Sequence, residues 1–571
     1  MYRERRPPQK RVVPFFFYLN TMNKSHIILS LAGLLALVMP VRAQNEIAGY
    51  SMNSSTAAST ATTQYGKVCG YIENGVYTYK GIPYASASRF EEPHAPEAWQ
   101  GIRSSRQYGP TCPQEFRTGW YMDNVAFASN WNDGYPGEDC LRVNIWTQGL
   151  QDGRKRPVMV WIHGGGFSTG SGQEQPAYDG ASLCKKGDVV VVSLNHRLNV
   201  LGFLNLSGFG EQYRHSANLG LLDIVEALKW VRNNIAAFGG DPDNVTIFGQ
   251  SGGGRKVSTL LCMPRAKGLF EKAIVESGSG ASFMQNKYSA EIGQLTVKYL
   301  GLDAATIDKI KTVPYQELLA AGNKAAAEVK KEADANGDGD HASIWGWMPT
   351  KDGDILPEDA FANGSELQSK DIPMIVGTCL NEFAGFIPLM VPDYFGQTEE
   401  QIKAMLTKSY GKYTDEYIKA FHETYPDLSY LDMPLIDFKY RPQALAQVET
   451  KVKDNGAPVW NYLFAYQSKA LDGVMTACHC QELPYVFNNV TRCASETEAS
   501  PEAIRLGEVM SSAWINFART GNPNGNGVPE WQAYTTAKKG TMIFNAPENS
   551  VKYGFDSKLQ ELVRKVTMEK K

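Results

Sequence analysis

Apolar side chains along this chain gather in short unbroken runs rather than alternating with polar ones. The runs are Val158-Met159-Val160-Trp161-Ile162, Val189-Val190-Val191-Val192, Val245-Thr246-Ile247-Phe248, Ala273-Ile274-Val275, Met374-Ile375-Val376 and Tyr462-Leu463-Phe464. Continuous runs of this length, rich in β-branched residues, predict strands covered on both faces, as in a mostly parallel sheet. Between the second and third lies "GLLDIVEALKWVRNNIAAF", where Leu221, Leu222, Val225, Leu228, Val231 and Ile235 recur at helical spacing. A crossover helix packed on the sheet has that pattern. The chain therefore predicts an α/β fold, an open central sheet with helices on both faces. Neither a repeat nor a linker-like low-complexity stretch follows residue 65, so residues 65–571 read as one large domain with long insertions.

The N-terminus breaks this pattern. From Met22, "MNKSHIILSLAGLLALVMPVRAQ" begins with Lys24, runs apolar from Ile27 to Met39 and reaches small Ala43 before Gln44. That is the layout of a secretory signal peptide, and the run is short for a membrane span, which needs about 20 apolar residues. Residues 1–43 are expected to be this signal, with residues 1–21 either an extended n-region or a sign that translation starts at Met22. Cleavage near Ala43 would leave a secreted or periplasmic protein without stable membrane insertion. Residues 44–64, rich in serine, threonine and alanine, read as a flexible lead-in. Nine cysteines suit export to an oxidising compartment, and the odd count leaves at least one unpaired. With 43% hydrophobic and 20% charged residues and a formal net charge of −3, the rest is globular, and no basic excess points to nucleic acid.

Candidate chemistry starts at "NVTIFGQSGGGRKVS", residues 244–258, where a strand-like run enters a serine walled in by glycines. A nucleophile on a tight strand-to-helix turn needs such neighbours, because side chains would collide around the bend. Gly166-Phe167-Ser168-Thr169-Gly170 fits the same G-x-S-x-G spacing, but it lies in a run of glycine, serine and threonine that reads as loop. Ser251, with a strand before it and no proline until Pro264, is the expected nucleophile.

The segment "FGGDPDNVTIFGQSGG", Phe238 to Gly253, closely resembles the nucleophile signature of the type B carboxylesterases, the family that includes acetylcholinesterases and neuroligins. "EDCLRVNIW" at 138–146, "HGGGF" at 163–167, "NHRLNVLGF" at 195–203 and "WINFARTGNPN" at 514–524 resemble further family motifs, in family order. The resemblance implies the α/β-hydrolase fold and two-step hydrolysis of small-molecule esters, with no metal or organic cofactor. A serine hydroxyl needs a histidine base held by a carboxylate. His479, in "ACHCQELPYVF", looks like the family's base, while His163 is expected to support the glycine-rich loop. Glu382, in "GTCLNEFAGF" directly after the run ending at Val376, resembles the family's acid; Asp371 and Glu366 precede that run and fall at its wrong end. By the same resemblance the oxyanion donors are the main-chain N–H groups of Gly165, Gly166 and Gly252, the last usually alanine in the family.

Departures from the family pattern bear on substrate. Gln250 stands where the family usually has glutamate, which weakens the expected preference for quaternary ammonium esters. Trp131 falls near the position of a choline-stacking tryptophan, with packing as the alternative. Met284, after "ESGSG", is a candidate for the acyl side of the pocket. The resemblance also implies a Cys112–Cys140 disulfide, and a bridge from Cys478 or Cys480 to Cys379 or Cys493 is a further candidate. "DANGDGD" at 334–340 mimics the start of a calcium loop, but position twelve is Trp345, so it reads as a solvated turn. The expected activity is that of a carboxylesterase; a specialised cholinesterase-like or lipase-like hydrolase and a noncatalytic neuroligin-like binding module are the competing readings.

Overall fold

The apolar runs form the middle of a twelve-stranded sheet in a computed structural model that describes residues 49–280, 282–338, 346–359, 361, 369–525 and 527–569. The signal segment at 1–43, Glu366, and Gly339, Asp340 and Trp345 of the calcium-like stretch lie outside the described residues. In chain order the strands are β1 (Met52–Asn53), β2 (Tyr71–Glu73), β3 (Val76–Pro83), β4 (Arg142–Thr147), β5 (Arg156–Ile162) and β6 (Val190–Leu194). There follow β7 (Gly240–Gln250), β8 (Lys272–Glu276), β9 (Met374–Cys379), β10 (Val459–Phe464), β11 (Gly540–Phe544) and β12 (Ser550–Tyr553). In space they run β1-β2-β3-β4-β6-β5-β7-β8-β9-β10-β11-β12. The stretch from β6 to β11 is parallel throughout, and antiparallel pairs flank it on both sides.

Each central strand feeds two cores. Val158, Val160 and Ile162 of β5 enter one apolar cluster, and Met159 and Trp161 enter another. Strand β8 divides in the same way, with Ala273 and Val275 on one side and Ile274 on the other. Successive side chains of a strand point to opposite faces, so an unbroken apolar run is what a sheet covered on both sides requires. Helix α1 (Leu219–Asn234) covers the first face with Leu221, Ile224, Val225 and Leu228. It also buries Asp223, which is paired with the Arg197 guanidinium at 2.6 Å. Helix α2 (Gly252–Leu260) leaves the end of β7, and helices α3 (Tyr440–Lys453) and α4 (Pro501–Thr520) lie in the C-terminal third. Helix α4 covers the second face with Leu506, Met510, Trp514 and Phe517.

Two boundaries differ from the sequence reading. Strand β7 begins well before Val245, with a register irregularity between Gly240 and Val245 that pattern alone does not reveal. Within 44–64, Thr60–Thr63 is a strand hydrogen-bonded to Gly66–Cys69, so ordered structure precedes residue 65. Ala61 and Thr63 face inward there, and the threonines hide that alternation behind polar atoms.

The register sets up a single edge. Gln250 at the end of β7 pairs with Glu276 at the end of β8, which in turn pairs with Gly377 in β9. The residues that follow these ends are neighbours at the C-terminal rim, where open α/β sheets carry their sites.

Candidate active site

Ser251 sits between β7 and α2 with φ 57° and ψ −123°, a left-handed strained backbone for a residue with a side chain. Its N–H donates to the Glu276 carbonyl at 2.8 Å. The glycines around it are required by close backbone contact. A Cβ on Gly249 would lie 2.6 Å from the Ile162 carbonyl oxygen, and one on Gly253 1.9 Å from it. A Cβ on Gly252 would meet the Gly166 oxygen at 2.3 Å and its Cα and nitrogen at 2.4 Å. The start of α2 is thus pressed onto the "HGGGF" loop that follows β5. Gly165 and Gly166 in that loop have φ of 79° and 62°. Among the described residues their N–H groups donate to no protein acceptor, and the N–H of Gly252 lies in the first turn of α2, where helices leave donors unpaired. Three free donors next to the serine can hold a developing oxyanion. Ser168, the second G-x-S-x-G serine, instead accepts a hydrogen bond from the Trp347 N–H at 3.2 Å.

Glu382 and His479, the expected acid and base, meet at the next part of the rim. Glu382, also left-handed at φ 32°, hydrogen-bonds His479 Nδ1 through Oε2. Its Oε1 accepts from the Ser277 hydroxyl at 2.6 Å and the Cys379 N–H at 2.8 Å. Backbone bonds tie the two segments as well, since the His479 N–H donates to the Glu382 carbonyl at 3.3 Å. Both side chains are buried, and the imidazole is walled by Phe383 at 4.3 Å, Tyr440 at 5.3 Å and Trp120 at 6.1 Å between ring centroids. Among the described residues, Ser251 Oγ makes no hydrogen bond to His479; the Gln250 amide nitrogen lies 3.3 and 3.4 Å from the two ring nitrogens. Gln250 Oε1 in turn accepts from the Cys480 thiol at 3.1 Å, and Cys480 is held at φ 76°.

Buried carboxyls surround Glu382. Burial, then the charge of Glu382, pushes Glu482 up to about 7, and burial, then Glu482, pushes Glu496 up to about 8. Burial raises Glu276 well above the ordinary carboxyl range, against a 2.7 Å hydrogen bond from Trp514. Among these four, Glu382 holds the fullest set of donors.

Other expectations fare differently. His163 is fully buried, its ring stacked 5.0 Å from that of His196, and burial followed by the Lys256 charge holds it well below the usual histidine range. Asp371 lies ahead of β9. The indole N–H of Trp131 donates to Asp133 at 2.9 Å, and its ring packs edge-on against Trp120 at 5.7 Å; Trp120 is the tryptophan that borders the base. Met284 is buried in a two-residue strand paired with Thr350–Lys351. The Cys112–Cys140 disulfide is not formed. Both are buried thiols in hydrogen-bonding contact, a contact that together with burial raises Cys140 well above the usual thiol range, and Cys112 Sγ accepts the Leu198 N–H at 3.2 Å. Nor are Cys379, Cys478, Cys480 and Cys493 bridged, because the first three turn their sulfurs to Glu482, Gln481 and Gln250. In the calcium-like stretch Asp334 pairs with Lys330, and Asp338 pairs with Lys287 at 2.9 Å and hydrogen-bonds Tyr288. These carboxylates are satisfied by lysines and tyrosine. A cavity of about 490 Å³ bounded by Leu380, Tyr425, Leu463, Tyr466 and Phe555 lies by the ends of β9 and β10 and does not include Ser251, Glu382 or His479. Sequence reasoning misses Ser277, Trp120, Phe383 and Tyr440; only Ser277 carries a signal, its place directly after a strand-like run.

Among known proteins, residues 57–562 match the Carboxylesterase family. The para-nitrobenzyl esterase of Bacillus subtilis (strain 168) is 38% identical over 493 residues, 85% of this chain and 94% of that protein. Human cocaine esterase is 32% identical over 520 residues, 84% of this chain and 86% of its own length. A solved esterase from Clostridium hathewayi, described as hydrolysing aliphatic aromatic polyesters, superposes with a TM-score of 0.80 at 38% identity, covering 90% of this chain and 100% of its own. A glycine-walled serine at the rim of a parallel sheet, in a chain with these relatives, makes the protein an α/β-hydrolase and a carboxylic ester hydrolase of the carboxylesterase family.

Proposed function

We propose that the protein hydrolyses small carboxylic esters through a Ser251–His479–Glu382 triad and an acyl-enzyme. The observation that carries this is the Glu382 carboxylate, bonded to His479 Nδ1 on one oxygen and held by Ser277 and Cys379 on the other. An imidazole so anchored keeps its proton on Nδ1 and presents Nε2 as the base. Ser251 Oγ attacks the ester carbonyl carbon as its proton passes to Nε2, a contact that tightens when substrate is bound. The oxyanion is held by the N–H groups of Gly165, Gly166 and Gly252. Collapse breaks the carbon–oxygen bond to the alcohol, which leaves with the proton from His479. Water then repeats the attack on the acyl-enzyme and releases the acid and free Ser251.

Neutral Gln250 beside the nucleophile and the rings of Trp120, Phe383 and Tyr440 around the base favour an uncharged, partly aromatic ester. The p-nitrobenzyl ester in the name of the Bacillus relative is of that kind. Residues 1–43, or 22–43 if translation starts at Met22, direct export in this reading, on the strength of the apolar run from Ile27 to Met39 and the small Ala43.

The test is turnover of p-nitrophenyl acetate, butyrate and octanoate by residues 44–571 beside Ser251→Ala. We expect the variant to lose at least about 10³-fold in kcat with its fold intact. A folded wild type inert on every ester would favour a highly selective enzyme or the binding-module reading instead.

A further inference from the structure

Lys256 is fully buried on α2, five residues beyond the nucleophile. A lysine in such a place needs a reason, because taking an ammonium out of water is expensive and a methionine would fill the space. Its Nζ donates to the main-chain carbonyl of His163 at 3.0 Å, and the same Nζ lies 5.5 Å from the centroid of the Phe167 ring. His163 and Phe167 are the first and last residues of "HGGGF", so one ammonium grips both ends of the loop that carries Gly165 and Gly166.

We propose that Lys256 is a positioning residue that clamps the oxyanion loop against the start of α2. The inference rests on the triad reading above. Between the two grips the backbone bends through left-handed Gly165 and Gly166, with the Gly165 carbonyl accepting from the Thr169 N–H at 3.1 Å and the Phe167 carbonyl from the Asn199 N–H at 2.8 Å. Below it, Gly252 leaves no room for a Cβ, so the loop can settle into this contact only if something draws it down. The ammonium supplies that pull, through a charge-assisted hydrogen bond at one end and a cation–π contact at the other. The His163 ring completes the seat by stacking on His196 and bonding the Gly164 carbonyl through Nδ1 at 3.0 Å. Burial, opposed by Glu174, draws Lys256 down to about 7, so the ammonium form that makes both contacts prevails below that pH.

The test compares Lys256→Met and Lys256→Gln with wild type and Ser251→Ala in the full domain. Lys256→Met keeps the apolar stem and loses the donor and the charge. It is expected to lower kcat by about 10- to 100-fold while KM moves little, because displaced donors fail only when charge develops. Affinity for a trifluoromethyl ketone, which forms a tetrahedral oxyanion on Ser251, should fall by the same factor. Lys256→Gln, which restores a donor but no charge, should recover part of the loss. A kcat and ketone affinity within two-fold of wild type in folded Lys256→Met would overturn the clamp, leaving Lys256 a matter of stability alone. If Lys256→Met does not fold, Lys256→Gln carries the same comparison. Should Ser251→Ala keep its activity, the triad reading itself has failed, an outcome separate from a failure of the clamp.

Discussion

The two halves of the site are built from different materials. Around Ser251 the working parts are main chain: glycines pressed together at distances no side chain tolerates, and N–H groups left free by left-handed turns. Around His479 the working parts are side chains from distant segments: Glu382 after β9, Ser277 after β8, Tyr440 at the start of α3 and Trp120 from the N-terminal third. A main-chain site is specified locally and tolerates almost no added atoms. A side-chain site is specified by tertiary assembly and should degrade in steps as single partners are removed.

The sharpest way to break that comparison is Gly252→Ala, which installs the residue usual in the family. Here the new Cβ would meet three backbone atoms of Gly166 within 2.4 Å. Backbone cannot swing aside as a side-chain tip can, so the oxyanion loop must shift. We expect kcat to fall by about 10²-fold, the scale of losing one oxyanion donor, with a smaller change in KM. Unchanged kinetics would mean that the loop accommodates alanine and that the contact has no catalytic weight.

Ser277→Ala probes the other half with a smaller expected effect. The substitution removes one of two donors to Glu382 Oε1 and leaves the Cys379 N–H and the His479 bond in place. A hydrogen bond to a charged group is worth about 1.5–3 kcal/mol, of which the remaining donor recovers part. We expect about a 10-fold loss in kcat/KM. A stepwise loss here beside the steep one at Gly252 would sharpen the contrast; equal losses would erase it.

The same contrast explains how much the sequence reveals. Glycine spacing around Ser251 and in "HGGGF" is written in consecutive residues, so the elbow and the donor loop are legible in the chain itself. The strands are legible because a sheet covered on both faces demands unbroken apolar runs, as Val158–Ile162 divides between two cores. Glu382 and His479 are reached through motif resemblance, since nothing local marks their pairing. Trp120 escapes notice, because its contact with His479 depends on how an insertion folds over the rim, and the nearby Trp131 is as good a candidate from sequence. Thiol pairing fails for a related reason. The number of cysteines and the family resemblance suggest bridges, whereas the folded chain gives Cys379, Cys478 and Cys480 polar partners of their own.

The smallest expected effect concerns the buried carboxyl of Glu482. Glu482 is fully buried, accepts the Cys379 thiol at 2.9 Å, and leaves Oε1 without a partner among the described residues. Its folded pKa of about 7 stands above the unfolded value near 4.5. Between those values the folded protein holds a proton that the unfolded chain has released. Stability from this group is therefore full below pH 4.5, falls as pH rises toward 7, and stays low above it, with a slope of up to about 1.4 kcal/mol per pH unit. Glu482→Gln cannot ionise and lacks that slope. The variant's melting temperature relative to wild type should therefore be higher at pH 8 than at pH 5, by a few degrees. A difference that is the same at both pH values would mean that Glu482 is already ionised in the folded state near pH 5.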